Sequence, residues 1–175
     1  MDSAVLIRRM AIGEGHACEQ VMRSLPGWFG IEEAIVEYAK SAETMETYVA
    51  DKFGQVVGFI TLDRRTPVTA EIHCMALRPE FHAKGIGRAL VELAEKLIVE
   101  RGYELFEVKT LDPSRPCAEY EHTRGFYEHM GFQPLEENDL WGSGNLCLIM
   151  VKHLACHRGT AASRPVAGRG TTPTC

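Results

Sequence analysis

Nowhere does the chain carry an apolar run long enough to cross a bilayer. Its first residues, MDSAVLIRRM, give only a short apolar stretch before Arg8 and Arg9, with no cleavage-like site. Neither a membrane partner nor a secretory leader is therefore expected, and the expected location is cytoplasmic. Basic charge is also in deficit, with 19 Lys and Arg against 24 Asp and Glu. The deficit is larger outside residues 155–175, which hold Arg158, Arg164 and Arg169 and no acid. A generic nucleic-acid surface needs the opposite balance, so no nucleic-acid partner is expected; the acidity mildly favours a cationic small molecule or basic peptide, or simply keeps the domain soluble. Six cysteines include no CxxC pair, which fits reduced thiols rather than a disulfide framework. The nearest approach to a metal cluster, His153 with Cys156 and His157, lacks a second ligand pair, and no metal is expected.

What remains is an ordinary globular composition, 45% hydrophobic and 25% charged, in a chain long enough for one domain with a real core. That domain is expected over residues 1–154. Residues 155–175, rich in Gly, Pro, Ser and Thr with little to bury, are expected to be a disordered tail. VLIRRM reads as a strand, and HACEQVMRSLPGWF as a helix stopped by Pro26 and Gly27. GIEEAIVEYAKSAET places Ile31, Ala34, Ile35, Tyr38 and Ala39 on one helical face. TYVADKFGQVVGFITLDRR reads as a hairpin, and AEIHCMAL as a strand closed by Pro79. A helix is predicted from Gly87 to Arg101, with Gly102 as its stop. LFEVKTL is a further strand, AEYEHTRGFYEHM a last helix, and FQPLEENDLWGSGNLCLIMVKHL two strands around a long turn. The order β-α-α-β-β-β-α-β-α-β-β, without repeats, predicts an α/β (α+β) sandwich, a mixed sheet flanked by helices.

The stretch FHAKGIGRAL joins a strand to a helix through two glycines. The first amides of a helix lack internal partners and sit at the positive end of its dipole. Gly85 and Gly87 would leave those amides open to phosphate oxygens. The stretch is not a dinucleotide fingerprint, because Leu90 stands where the third glycine belongs, and no Gly-Lys-Ser/Thr follows to make a P-loop. Taken alone, the triplet better describes a tight strand-to-helix connection whose glycines allow close packing.

The surrounding segment, MALRPEFHAKGIGRALVELAEKLIVERGY, resembles motif A of the GNAT superfamily of N-acetyltransferases, and TRGFYEHMGFQPLE resembles its motif B. The order of elements is similar to that family from about Val5 to Leu154. The resemblance implies a mixed, mainly antiparallel GNAT-like sheet, acetyl-CoA as co-substrate, and a small-molecule amine or peptide as acceptor. Homodimers are frequent in the family. It further implies that His82, Ala83, Lys84, Gly85, Ile86, Gly87 and Arg88 hold the pyrophosphate of CoA, and that main-chain groups of Met75, Ala76 and Leu77 meet the pantetheine and the acetyl group. One departure is His82, which stands where the family usually has Gln or Arg. A non-catalytic acyl-CoA-binding module of the same fold is the alternative to which that departure points.

Acetyl transfer to an amine needs a base for the amine, stabilisation of the oxyanion and a proton for the departing thiolate. Spacing alone describes Tyr120, Thr123, Tyr127 and Met130 as one helical face packed on the sheet, whereas the resemblance implies that Tyr127 is the acid or the group that orients the sulfur. For the base, strand alternation in AEIHCMAL puts Glu71, His73, Met75 and Leu77 on one face, with Glu71 the first candidate and His73 the second. Asp112 and Glu119 are weaker ones. Cys74, expected on the opposite face, has no base to activate it and reads as a buried thiol. Acceptor specificity in the resembling family lies in the first two helices and the last hairpin. Trp28, Phe29, Glu32 and Trp141 are the candidate acceptor-binding residues here.

Overall fold

The computed structural model describes residues 4–114, 116–142 and 144–154. The tail expected over 155–175, with Cys156 and His157, lies outside them.

Seven strands form one sheet in the order β1-β2-β3-β4-β5-β7-β6. They are β1 (Leu6–Arg9), β2 (Glu46–Lys52), β3 (Gln55–Arg64), β4 (Thr69–Leu77), β5 (Leu105–Leu111), β6 (Gln133–Asn138) and β7 (Cys147–His153). Helices α1 (Gly15–Arg23) and α2 (Glu32–Thr44) precede β2; α3 (Ile86–Glu100) connects β4 to β5, and α4 (Ala118–His129) connects β5 to β6. The sequence-predicted order is the observed one, and the mainly antiparallel sheet is flanked by helices as expected. Only the β4–β5 pairing is parallel, as a crossover through a helix requires.

Each helix buries the stripe that its apolar spacing marks. Cys18, Val21 and Met22 of α1 and Ile35, Ala39 and Ala42 of α2 pack with Val49, Val56, Phe59, Cys74 and Ala76 on one side of the sheet. Leu90, Val91, Ala94 and Ile98 of α3, with Tyr127 and Met130 of the α4 segment, pack with Ile60, Ile72, Phe106, Val108 and Met150 on the other. Phe59 and Phe106 are fully buried on the two sides. Removing either ring would cost about 3–5 kcal/mol in lost burial and cavity. None of the described helices is long and apolar enough to cross a membrane.

Two irregularities in β4 place the site. The β4–β5 ladder runs from Thr69/Leu105 to Ile72/Val108 and stops, so the remainder of each strand diverges from the other. At the same point the β3–β4 register jumps from Leu62↔Ile72 to Thr61↔Cys74, leaving His73 as the extra residue of a β-bulge. The bulge overturns the single face expected for Glu71, His73, Met75 and Leu77. Met75 and Leu77 pack with the α3 side. Cys74 and Ala76 face α1 and α2, and the His73 ring meets Tyr38 of α2.

Candidate active site

The turn after β4 is built by backbone conformation. Pro79–Phe81 make one 3₁₀ turn, then Ala83 and Gly85 take positive φ of 56° and 80°. Gly85 is the N-cap of α3, which begins at Ile86, one residue before the predicted start. The helix's first backbone bond runs from the Ala89 amide to the Gly85 carbonyl. The amides of Ile86, Gly87 and Arg88 therefore have no carbonyl of the preceding turn to bond, and they face outward at the positive end of a 15-residue helix. A Cβ on Gly85 would meet nothing within 4 Å, so its conformation, not crowding, requires glycine. Gly87 differs: its φ is ordinary, and a Cβ there would rest 3.5 Å from the Phe126 ring.

The basic side chains of the turn are partly engaged. Arg88 donates to His129 Nε2 at 2.9 Å, tying the start of α3 to the end of α4. Lys84 Nζ lies 5.5 Å from the Phe81 ring centroid. His82 donates from Nε2 to the Leu77 carbonyl at 2.6 Å and stands edge-on to Trp28 at 5.8 Å. Its side chain thus braces the end of β4.

Where β4 and β5 part, Tyr127 is buried against Phe126 and Phe132, with centroids at 5.3 and 5.5 Å. Burial, with smaller contributions from Cys74 and Tyr120, raises the pKa of its phenol well above the ordinary value, so it holds its proton. Thr110, on the diverging part of β5, has a buried hydroxyl without a hydrogen-bond partner. Sequence reasoning missed it; the signal was a hydroxyl completing the otherwise apolar alternation Phe106, Val108, Thr110. Burial also pushes the Cys74 thiol up, consistent with the expected inert thiol.

The candidate bases have different surroundings. Glu71 is buried and doubly paired, Oε1 with Lys109 Nζ at 2.8 Å and Oε2 with Arg65 Nε at 3.0 Å. Lys109 also reaches Glu107 at 2.6 Å. Burial disfavours the Lys109 charge, but its bonds to Glu107 and Glu71 outweigh that and raise its pKa. His73 is half-buried, with Tyr38 5.4 Å away. Asp112 accepts from the Ser114 amide at 2.7 Å, and hydrogen bonding to the Ser114 side chain, then to its amide, lowers its pKa. Glu119 accepts from the Cys117 thiol at 3.3 Å.

Of the candidate acceptor residues, Trp28 and Phe29 stand beside the site. The Trp28 indole donates to Thr123 Oγ1 and its carbonyl accepts from the Tyr120 hydroxyl, both at 2.9 Å, so α4 fixes the α1–α2 connection. Glu32 is instead held by a two-pronged pair with Arg23 at 2.8 and 2.6 Å. Trp141 lies exposed in the β6–β7 turn.

Residues 43–134 match the family model described as an acetyltransferase (GNAT) domain. The chain belongs to this family. It is 33% identical over 151 residues to an N-acetyltransferase of uncharacterised function from Chlorobaculum tepidum, the match spanning 83% of this chain and 81% of that protein. Among solved structures, a GNAT-family acetyltransferase from Desulfovibrio desulfuricans superposes with a TM-score of 0.77 at 19% identity, covering 87% of this chain and all of that one. The PaiA N-acetyltransferase of Thermoplasma acidophilum, solved in complex with coenzyme A, superposes at 0.68 with 22% identity over 86% of this chain and 99% of that one. Among the described residues, no cluster of three or more potential metal ligands occurs.

Proposed function

We propose that the protein is an acetyl-CoA-dependent N-acetyltransferase acting on a primary amine by direct attack within a ternary complex. The observation that carries the reading is the parting of β4 from β5 after Ile72/Val108, directly ahead of a helix whose first amides are open. The residues present fit the cofactor. Amides from Ala83 to Arg88, with Gly85 turned into the left-handed region, would hold the pyrophosphate. Main-chain groups of Met75, Ala76 and Leu77 and the Thr110 hydroxyl would meet the pantetheine amides and the acetyl oxygen. When bound, the cofactor supplies an activated acetyl thioester.

The protein's own groups do the rest. His73, turned by the bulge toward the α2 side and not tied into an ion pair, takes the amine proton. Tyr127, kept protonated by burial, gives a proton to the leaving sulfur. Glu71 is assigned a positioning role: it fixes Lys109 and Arg65 at the last rungs of the β4–β5 ladder. Holding both substrates in register supplies much of the rate without an acyl-enzyme.

The test is calorimetric titration of acetyl-CoA followed by thiol release with an amine panel, on wild type and Tyr127→Phe. Binding by both proteins with kcat reduced about 10²–10⁴-fold in the variant is the expected result. Unchanged kcat would remove Tyr127 from the mechanism, and absence of binding would overturn the function.

A further inference from the structure

Resting on the function just proposed, we infer that the acceptor is an amine carried on a flat apolar group, of the arylalkylamine class, and not a polycation. A nearly continuous series of rings connects the phosphate turn with the bulge in β4. His82 meets Trp28 at 5.8 Å, Phe29 follows Trp28 in the chain, Phe29 meets Tyr38 at 6.3 Å, and Tyr38 meets His73 at 5.4 Å, every ring contact edge-to-face. The series runs from the brace at the phosphate turn to the bulge in β4. Trp28, Phe29 and Tyr38 pack on the α1–α2 core, and with His73 they are only half-buried. Edges and faces presented this way favour another aromatic ring. Bonds from Trp28 to Thr123 and from Tyr120 to the Trp28 carbonyl hold the wall in place before any acceptor arrives.

The charges around this wall argue the same way. A polycation needs unspent carboxylates, and two of those nearby are ion-paired, Glu71 with Lys109 and Arg65 and Glu32 with Arg23, while Glu119 meets only the neutral Cys117 thiol. Glu33 and Glu37 lie on the exposed side of α2, away from the stripe formed by Ile35, Ala39 and Ala42. One ammonium can be neutralised, by proton transfer to His73; a second would exchange its hydration for ring faces whose cation–π attraction replaces it only in part. The reaction balances with this one amine: the ammonium gives one proton to His73, which passes it to solvent; nitrogen then bonds to the acetyl carbon, the carbon–sulfur bond breaks, the sulfur leaves with the Tyr127 proton, and the proton that nitrogen loses as the amide forms restores the Tyr127 phenol.

Steady-state thiol release at saturating acetyl-CoA, with 2-phenylethylamine and with spermidine, tests the inference, and calorimetry with acetyl-CoA runs alongside. The expected result is a kcat/KM for 2-phenylethylamine at least tenfold above that for spermidine. In Tyr38→Ala, and independently in Phe29→Ala, the KM for 2-phenylethylamine should rise about tenfold while acetyl-CoA still binds, which certifies the fold of each variant. Equal or better use of spermidine, a preference that survives both substitutions, or acetyl-CoA binding with turnover of neither amine would each overturn the inference. Failure to bind acetyl-CoA would instead overturn the function beneath it.

Discussion

At Thr110 a buried hydroxyl without a partner is a liability for the free protein, because desolvation is not offset by a hydrogen bond. Thr110→Val should therefore raise the melting temperature of the free protein slightly and weaken acetyl-CoA binding several-fold, a pair of opposite changes that calorimetry and thermal melts check together. The two glycines of the turn separate strain from access. Gly85→Ala forces an L-residue to φ +80° and should cost about 1–2 kcal/mol of stability. Gly87→Ala has room for its methyl, so its melting temperature should barely change while acetyl-CoA affinity falls, the added group standing among the open amides. Burial raises the pKa of the Tyr127 phenol, so with Tyr127 as the proposed acid the pH–rate profile should show no alkaline fall below about pH 10.

The elements were legible because their periodicities are strong. Ile86, Leu90, Leu93, Ala94, Leu97 and Ile98 could only describe a helix, and Pro26, Pro79, Gly102 and Gly131 punctuate the chain where elements end. The bulge was not legible. Thr69 to Leu77 alternates acceptably in either register, and only pairing with β3 decides that His73 is the extra residue. Divergence of β4 from β5 likewise depends on partners distant in sequence. Glu71 looked like a free base because its neighbours on the strand are uncharged; Lys109 and Arg65 reach it from β5 and the β3–β4 turn. The bond between Trp28 and Thr123, separated by 95 residues, was beyond any local pattern. Trp28→Phe keeps the ring and removes the donor. It should cost about 1 kcal/mol in a denaturant melt and raise the acceptor's KM with no change in the acetyl-CoA Kd.

For the whole molecule, acidity argued mildly for a cationic acceptor, yet Glu71 and Glu32 near the site are ion-paired within the chain. Charge at this scale bears more on stability. Arg8 holds Glu14 at 2.7 Å and Asp51 at 2.9 Å, pinning the edge strand β1 to β2 and to the start of α1. Its hydrogen bonds lower the Glu14 pKa from the usual 4.5 to about 2. Since the folded pKa lies below the unfolded one, this contribution is complete above about pH 4.5 and is lost as pH falls toward 2. Arg8→Met should lower the melting temperature at neutral pH and flatten its decline between pH 5 and 3. Among the described residues, the four rungs between Thr69/Leu105 and Ile72/Val108 are the only strand pairing that joins β1 to β4 with β5 to β7. Strand pairing across the sheet is thus narrowest here, while the core beneath α3 and α4 runs unbroken from β3 and β4 to β5 and β7. A ligand seated where the strands part would touch both sides of this seam, so its binding energy should appear as slowed amide exchange at Ile72 and Val108.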